Sequence, residues 1–218
     1  MTPRRPLGIL GGTFDPIHYG HLRMAEEARD ALALERVSLI PAGLPPHRER
    51  PGTQAADRLE MTRLAAAAHP HLEVDAGEAL AAAPSYTVPT LERLRDTHGT
   101  ARPLVLLLGM DAFQNLAGWH RWRELFALAH IAVATRPGYD FRAAGLAPEL
   151  GAELRTRFTP EAGALAASPA GRVTAFAMTP LAISATAIRE QIARGASPRF
   201  LLPDAVLDYI QTHHLYTY

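Results

Sequence analysis

The chain has 218 residues, 48% hydrophobic and 20% charged, a composition that suits one globular α/β domain with a real core. Lys plus Arg and Asp plus Glu number 22 each, so the formal charge is zero, which argues against capture of nucleic acid or an anionic membrane. Disulfides and thiolate chemistry are excluded by the absence of cysteine.

In chain order, Leu7 to Leu10 is a short apolar run that predicts a buried strand. The run is broken by Gly8, Gly11 and Gly12 and is too short for a signal peptide. His21 to Leu34 has helical spacing, Val37 to Ile40 reads as a second strand, and Ala55 to Ala68 as a second helix. The alanines of Ala65 to Ala68 and Ala79 to Ala83 read as helix filler. A helix is expected over Thr87 to Thr97, strands over Leu104 to Leu108 and Ile131 to Thr135, and a fifth strand over Val173 to Ala177. Residues 138–171, rich in Ala, Gly and Pro, read as an irregular or loosely helical insertion within one domain spanning 1–218. Helices over Ala185 to Arg194 and Asp204 to Thr212 close the chain. Strands alternating with helices imply a doubly wound parallel sheet, α/β in class, whose ligands gather beyond the carboxyl ends of the strands. No stretch approaches the roughly 20 apolar residues of a membrane helix, and a cytoplasmic location is expected.

Gly11-Gly12-Thr13-Phe14-Asp15-Pro16-Ile17-His18-Tyr19-Gly20-His21 directly follows the first strand. Two glycines at a strand end let backbone approach a ligand closely. Asp15-Pro16 signals a turn, and a helix beginning near Gly20 offers N–H groups and a dipole that favour phosphate. His18 and His21, three apart at that helix start, can bring both rings toward one point, and imidazoles suit developing negative charge. A capping histidine beside a surface one is the bland alternative. Near the other end stands Ile183-Ser184-Ala185-Thr186-Ala187-Ile188-Arg189. Ser184 is an expected N-cap, and with Thr186 and Arg189 it would form a second anion site. A plain capping sequence with Arg189 in solvent is the competing reading.

Pro41-Ala42-Gly43-Leu44-Pro45-Pro46-His47-Arg48 follows the second strand, and Pro84-Ser85-Tyr86-Thr87 opens a helix whose N–H groups could receive a carboxylate. Leu108-Gly109-Met110-Asp111 ends the third strand, and Trp119 could stack on an aromatic ring or fill the core. His69 with His71, and His213 with His214, lack a second ligand cluster, so they read as exposed and no protein-held metal is expected.

Taken together, these motifs resemble the H-x-G-H nucleotidyltransferase superfamily, and within it the bacterial nicotinate mononucleotide adenylyltransferases. The resemblance runs from Leu7 to Tyr216, apart from Tyr139 to Gly171. It implies a Rossmann-like fold with a small C-terminal helical part, and transfer of the adenylyl group of ATP to nicotinate mononucleotide. It also implies catalytic roles for His18, His21 and Arg48. ATP binding falls to Gly11, Gly12, Thr13, Phe14, Gly109, Asp111, Arg136, Ile183, Ser184, Thr186 and Arg189. Nicotinate mononucleotide falls to His47, Tyr86, Thr87, Trp119 and the backbone N–H of His120. The implied cofactor is Mg²⁺ bound to the nucleotide, and a homodimer is compatible with the sequence. Arg48 departs from the lysine that many members carry, keeping the charge but not the compact ammonium. Three alternatives stay open: nicotinamide mononucleotide as acceptor, a phosphopantetheine adenylyltransferase or cytidylyltransferase cousin, and a non-catalytic nucleotide-binding module.

Overall fold

The computed structural model describes residues 4–45, 52–136 and 145–217. His47, Arg48 and the first part of the expected insertion lie outside them.

Six strands form one parallel sheet: β1 (Leu7–Gly12), β2 (Arg36–Pro41), β3 (Leu72–Val74), β4 (Leu104–Gly109), β5 (His130–Thr135) and β6 (Val173–Ala177). Their order is β3-β2-β1-β4-β5-β6, the doubly wound arrangement in which chain direction across the sheet reverses between β1 and β4. Leu7, Gly8 and Ile9 pair with Leu104, Val105 and Leu106 in parallel register. The strand sequences Leu-Val-Leu-Leu-Leu and His-Ile-Ala-Val-Ala-Thr are buried throughout, as expected where both faces of a parallel sheet are covered. The helices are α1 (Tyr19–Ala31), α2 (Ala55–Ala66), α3 (Thr87–His98), α4 (Met110–Gln114), α5 (Leu125–Leu128), α6 (Pro148–Arg157), α7 (Ala185–Ala193) and α8 (Asp204–Thr212). None is long and apolar enough to cross a membrane among the described residues.

Predicted elements match closely, but the short helices α4 and α5 were not expected, and three further segments differ. β3 was not expected, because three residues with only Leu72 buried give no periodic signal. α6 gives the segment expected to be irregular or loosely helical one defined helix, whose buried stripe is Leu150 and Leu154, four apart, and whose favoured first position is Pro148. Ala79 to Ala83 is not helical: it forms turns and bends beside Pro84, where small side chains carry no burial incentive.

The chain's contacts divide it into two compact units. The first holds Met1–Leu10, Met24–Val37 and Tyr86–Thr179. Here Gly8 is required by packing: a Cβ would lie 2.8 Å from Leu34 Cδ1 and 3.0 Å from Val37 Cγ2. Arg95 from α3 is buried and donates to the carbonyls of Leu128 at 2.8 Å, Pro169 at 2.7 Å and Arg102. One guanidinium thereby joins three chain segments that would otherwise leave buried acceptors unpaired.

His130, fully buried, spans Ser168 O at 2.8 Å and the Arg172 N–H at 3.0 Å. Its Nδ1 must accept and its Nε2 donate, so the neutral tautomer fits both partners. Burial holds its pKa below 6.5, outweighing the backbone acceptors. A histidine depressed in the folded state contributes stability above its unfolded pKa, and that contribution is lost as pH falls below about 6.5. The wild-type thermal midpoint is therefore expected to drop as pH is lowered from 7 toward 5, and less steeply in His130→Gln, as read by scanning calorimetry. Parallel pH curves for the two proteins would refute this assignment.

The second unit holds Gly11–Arg23, Ser38–Ser85 and Pro180–Tyr218. Within it α8 packs on α2, burying Val206, Leu207 and Ile210. Tyr209 on the same helix donates to Asp57 at 3.0 Å.

Candidate active site

The turn after β1 is shaped by Phe14, whose φ of 51° places a bulky residue in the left-handed region. Such strain is held only where the surroundings over-determine it. Here the ring is 2% exposed and fills the space that Gly12 leaves open: a Cβ at Gly12 would lie 2.6 Å from Phe14 Cε1. From there the Phe14 ring meets His21 edge-on, with centroids 5.0 Å apart. Its side chain thus supports a histidine, while Gly11 is exposed and Gly12 and Thr13 are half-buried.

His18 and His21 stack, with ring centroids 3.8 Å apart and planes 24° from parallel. The chain folds this way because the Leu22 and His21 N–H groups both reach the His18 carbonyl, opening α1 directly beneath the rings. Gly20 is bare where it must be: a Cβ would sit 3.0 Å from Cε1 and Nδ1 of His18. The His18 N–H donates to His21 Nδ1 at 3.3 Å, so a neutral His21 carries its own proton on Nε2. His18 is 6% exposed, and its Nδ1 is buried without a hydrogen-bond partner. Desolvation lowers its pKa to about 4, so at neutral pH it is an uncharged imidazole.

Ser184 caps α7 as expected, its Oγ accepting from the Ala187 N–H at 3.2 Å. Ser184 and Thr186 are exposed and Ile183 is half-buried, which leaves both hydroxyls open to solvent-borne anions. Arg189 does not point into bulk solvent. Its Nη1 donates to the Asp15 carbonyl at 2.7 Å and its Nη2 to Thr186 Oγ1 at 3.3 Å. The two motifs, distant in sequence, are therefore joined by a direct hydrogen bond, and both helix starts, α1 and α7, lie in the same unit. Two helix N-termini with histidine, hydroxyl and guanidinium donors are suited to an anion with several oxygens.

Sequence reading missed Arg58. It lies on α2, is 1% exposed, and donates to Thr13 O at 2.9 Å, Gly43 O at 2.8 Å and Ala42 O. It ties the loop after β1 to the loop after β2. Gly43 is enforced by the same crowding, since a Cβ there would lie 2.2 Å from the Glu78 carbonyl oxygen. The Gly43 N–H donates to Ser85 Oγ at 2.9 Å, which gives the first residue of the Ser-Tyr-Thr motif a structural role.

Tyr86, Thr87, Gly109, Asp111, Trp119, His120 and Arg136 belong to the first unit. Thr87 begins α3, half-buried, and Tyr86 is its N-cap residue. Tyr86 and His120 rings lie 4.6 Å apart. Trp119 is half-buried, whereas Trp122, 7% exposed, is the core tryptophan. Arg121, at φ 54°, donates to Glu92 on α3 at 2.7 Å and to Glu124 at 2.6 Å, fixing the turn after His120 against α3. Gly109 is the N-cap residue of α4, Asp111 stands exposed in its first turn, and Arg136 is exposed after β5. Of the expected histidine pairs, His71, His213 and His214 are exposed and His69 is half-buried.

A cytidylyltransferase-like family model matches residues 9–191, which take in both phosphate motifs. The chain belongs to this family. It is 56% identical over 211 residues to a Dechloromonas aromatica protein named "Probable nicotinate-nucleotide adenylyltransferase", covering 97% of each chain. A Laribacter hongkongensis protein of the same name is 48% identical over 216 residues, covering 99% of this chain and 96% of the relative. The fold is also that of a Plasmodium falciparum nicotinic acid mononucleotide adenylyltransferase solved with NaAD, at a TM-score of 0.71. That match covers 98% of both chains at 13% identity, and it is the fold that the two share.

Proposed function

We infer that the chain transfers the adenylyl group of ATP to nicotinate mononucleotide, forming deamido-NAD and pyrophosphate in NAD biosynthesis. The observation that carries this is near-complete coverage of relatives bearing that name at 48–56% identity, joined to the stacked His18–His21 pair in this chain.

A phosphate oxygen of nicotinate mononucleotide attacks the α-phosphorus of ATP in line, forming the new P–O bond. The bond to the β-phosphate oxygen breaks, and its electron pair leaves with pyrophosphate. The acceptor phosphate is already ionised, so no side chain needs to become a nucleophile, and the protein's task is to position and stabilise charge. In this proposal His18 and His21 donate to the α-phosphate and leaving oxygens. Ser184, Thr186, Arg189 and Arg48 bind the triphosphate, with backbone of Gly11 to Phe14 and Ile183, and with Gly109, Asp111 and Arg136 toward the nucleoside. Burial keeps His18 neutral, so in this reading it donates through its single ring N–H. Thr87, the His120 N–H, Tyr86, His47 and the Trp119 ring are assigned to nicotinate mononucleotide. Half-burial of Trp119 supports that assignment, because side-chain area remains accessible for stacking.

Among the described residues no group of three or more His, Asp or Glu is arranged to hold a metal. In this proposal Mg²⁺ would be carried by the nucleotide and would neutralise charge on the triphosphate. A cytoplasmic location belongs to the same proposal, since ATP is the co-substrate, and a homodimer is the assembly to test by analytical ultracentrifugation.

Pyrophosphate release with ATP and Mg²⁺ tests the reading. Strong turnover is expected with nicotinate mononucleotide and little with nicotinamide mononucleotide or phosphopantetheine. Turnover only with phosphopantetheine would keep the phosphate site and discard the acceptor. ATP binding without any pyrophosphate would remove the enzymatic reading altogether.

A further inference from the structure

Asp15 stands three residues before His18 and is 5% exposed, with its carboxylate folded inward. A buried carboxylate is costly unless donors meet it. Three do: the Gly52 N–H reaches Oδ2 at 2.9 Å, Thr53 Oγ1 reaches Oδ1 at 2.7 Å, and the Tyr216 hydroxyl reaches Oδ1 at 2.7 Å. The carbonyl of the same residue accepts Arg189 Nη1 at 2.7 Å. Two residues earlier, Thr13 O is held by Arg58. The turn that presents the histidines is thus fixed through Asp15 on both side chain and backbone, and one of these anchors, Tyr216, is 201 residues away in sequence.

Tyr216 is 5% exposed and sits at φ 63°, a conformation that a bulky aromatic residue rarely adopts. Burial and the Asp15 charge push its phenol pKa up, so the hydroxyl stays a donor throughout the working pH range. A ring that served only to fill space would need neither the unusual backbone nor a carboxylate partner.

We propose that Tyr216 is a positioning residue for adenylyl transfer, acting through the Asp15 carboxylate on the His18–His21 turn and on Arg189. This rests on the reaction inferred above. Loss of its hydroxyl leaves Asp15 with one fewer donor, lets the carboxylate turn, and moves the carbonyl that Arg189 grips. The donors meant for the transition state are then misplaced, although the ground-state contacts that bind ATP are largely kept.

The test is steady-state kinetics of Tyr216→Phe, Asp15→Asn and their combination, beside wild type and a core control, Val206→Ala. Tyr216→Phe is expected to lower kcat about tenfold, with both KM values within about twofold. Asp15→Asn acts in the same direction and more strongly, because an amide turns an acceptor into a donor facing donors. The double variant should be no slower than Asp15→Asn alone, the mark of one shared pathway. Val206→Ala should lower the thermal midpoint at unchanged kcat. A Tyr216→Phe protein with wild-type kcat would overturn the proposal, as would a kcat loss that only tracks the folded fraction or adds fully to that of Asp15→Asn. Wild-type turnover in the same assay separates the failures: without it the reaction itself falls, and with it only the role of Tyr216 is at stake.

Discussion

His18→Ala is expected to lower kcat by about 10² to 10³-fold while moving the KM for ATP by no more than about threefold. The asymmetry follows from the geometry. Ground-state triphosphate has other donors in reach of the two helix starts, namely Ser184, Thr186 and Arg189. The charge that develops on the α-phosphoryl oxygens as the bond to pyrophosphate breaks needs a donor already in place, and His18 is fixed there by stacking on His21 and by its own peptide N–H. A proton shuttle is not required. Burial holds the free-protein pKa at about 4, so the imidazole is neutral on both sides of pH 7. kcat/KM for ATP should accordingly show no inflection from His18 between pH 6 and 8, and any such inflection must disappear in His18→Ala if it belongs to this residue. Equal losses in kcat and in ATP affinity would reduce His18 to a binding group.

The largest stability effect is expected at Arg58. Replacing it by Met, similar in length and able to fill the same space, should destabilise the protein by about 3–5 kcal/mol. Its guanidinium donates to three backbone carbonyls, at Thr13, Ala42 and Gly43, and without it these acceptors remain enclosed and unpaired. The nearby Asp15 carboxylate also loses a compensating positive charge. Arg58→Lys should recover little, because one ammonium cannot reproduce a planar fork that serves two loops. Domains of this kind are stable by only about 5–15 kcal/mol, so urea unfolding will register the change as a clear fall in midpoint. A shift below about 1 kcal/mol would mean that water replaces the guanidinium at no cost, and that the strap is incidental.

The parts of the site readable in the sequence were those whose chemistry is local. Gly12, His18, Gly20 and His21 act across one turn, and Ser184, Thr186 and Arg189 across another, so spacing alone specified which groups share a helix start. Strands β1, β2, β4 and β5 were equally legible, because burial on both faces writes a continuous apolar run. β6 was located with its full bounds. By contrast β3, with one buried residue of three, and the turns at Ala79 to Ala83 carry no periodic signature, and composition misled at the latter.

Arg58, Arg95, Asp15 and Tyr216 mark the boundary of that legibility. In sequence each reads as an ordinary polar residue, the arginines on helix faces and Asp15 as a turn former. Their partners lie 15 to 45 residues away for Arg58 and 201 away for Tyr216. Nothing in residue type fixes which buried carbonyl or carboxylate a long side chain will reach. The sequence by itself determined the alternation of strands and helices and the two phosphate motifs, since these depend on short-range geometry and on the period of the apolar pattern, while the class of reaction followed from the family those motifs resemble. Only the tertiary structure decided that Arg189 closes onto Asp15, that His18 is buried enough to be neutral, and that the end of the chain holds the turn before it. Those outcomes depend on desolvation and on satisfying every enclosed polar group, which exist only once the chain has packed.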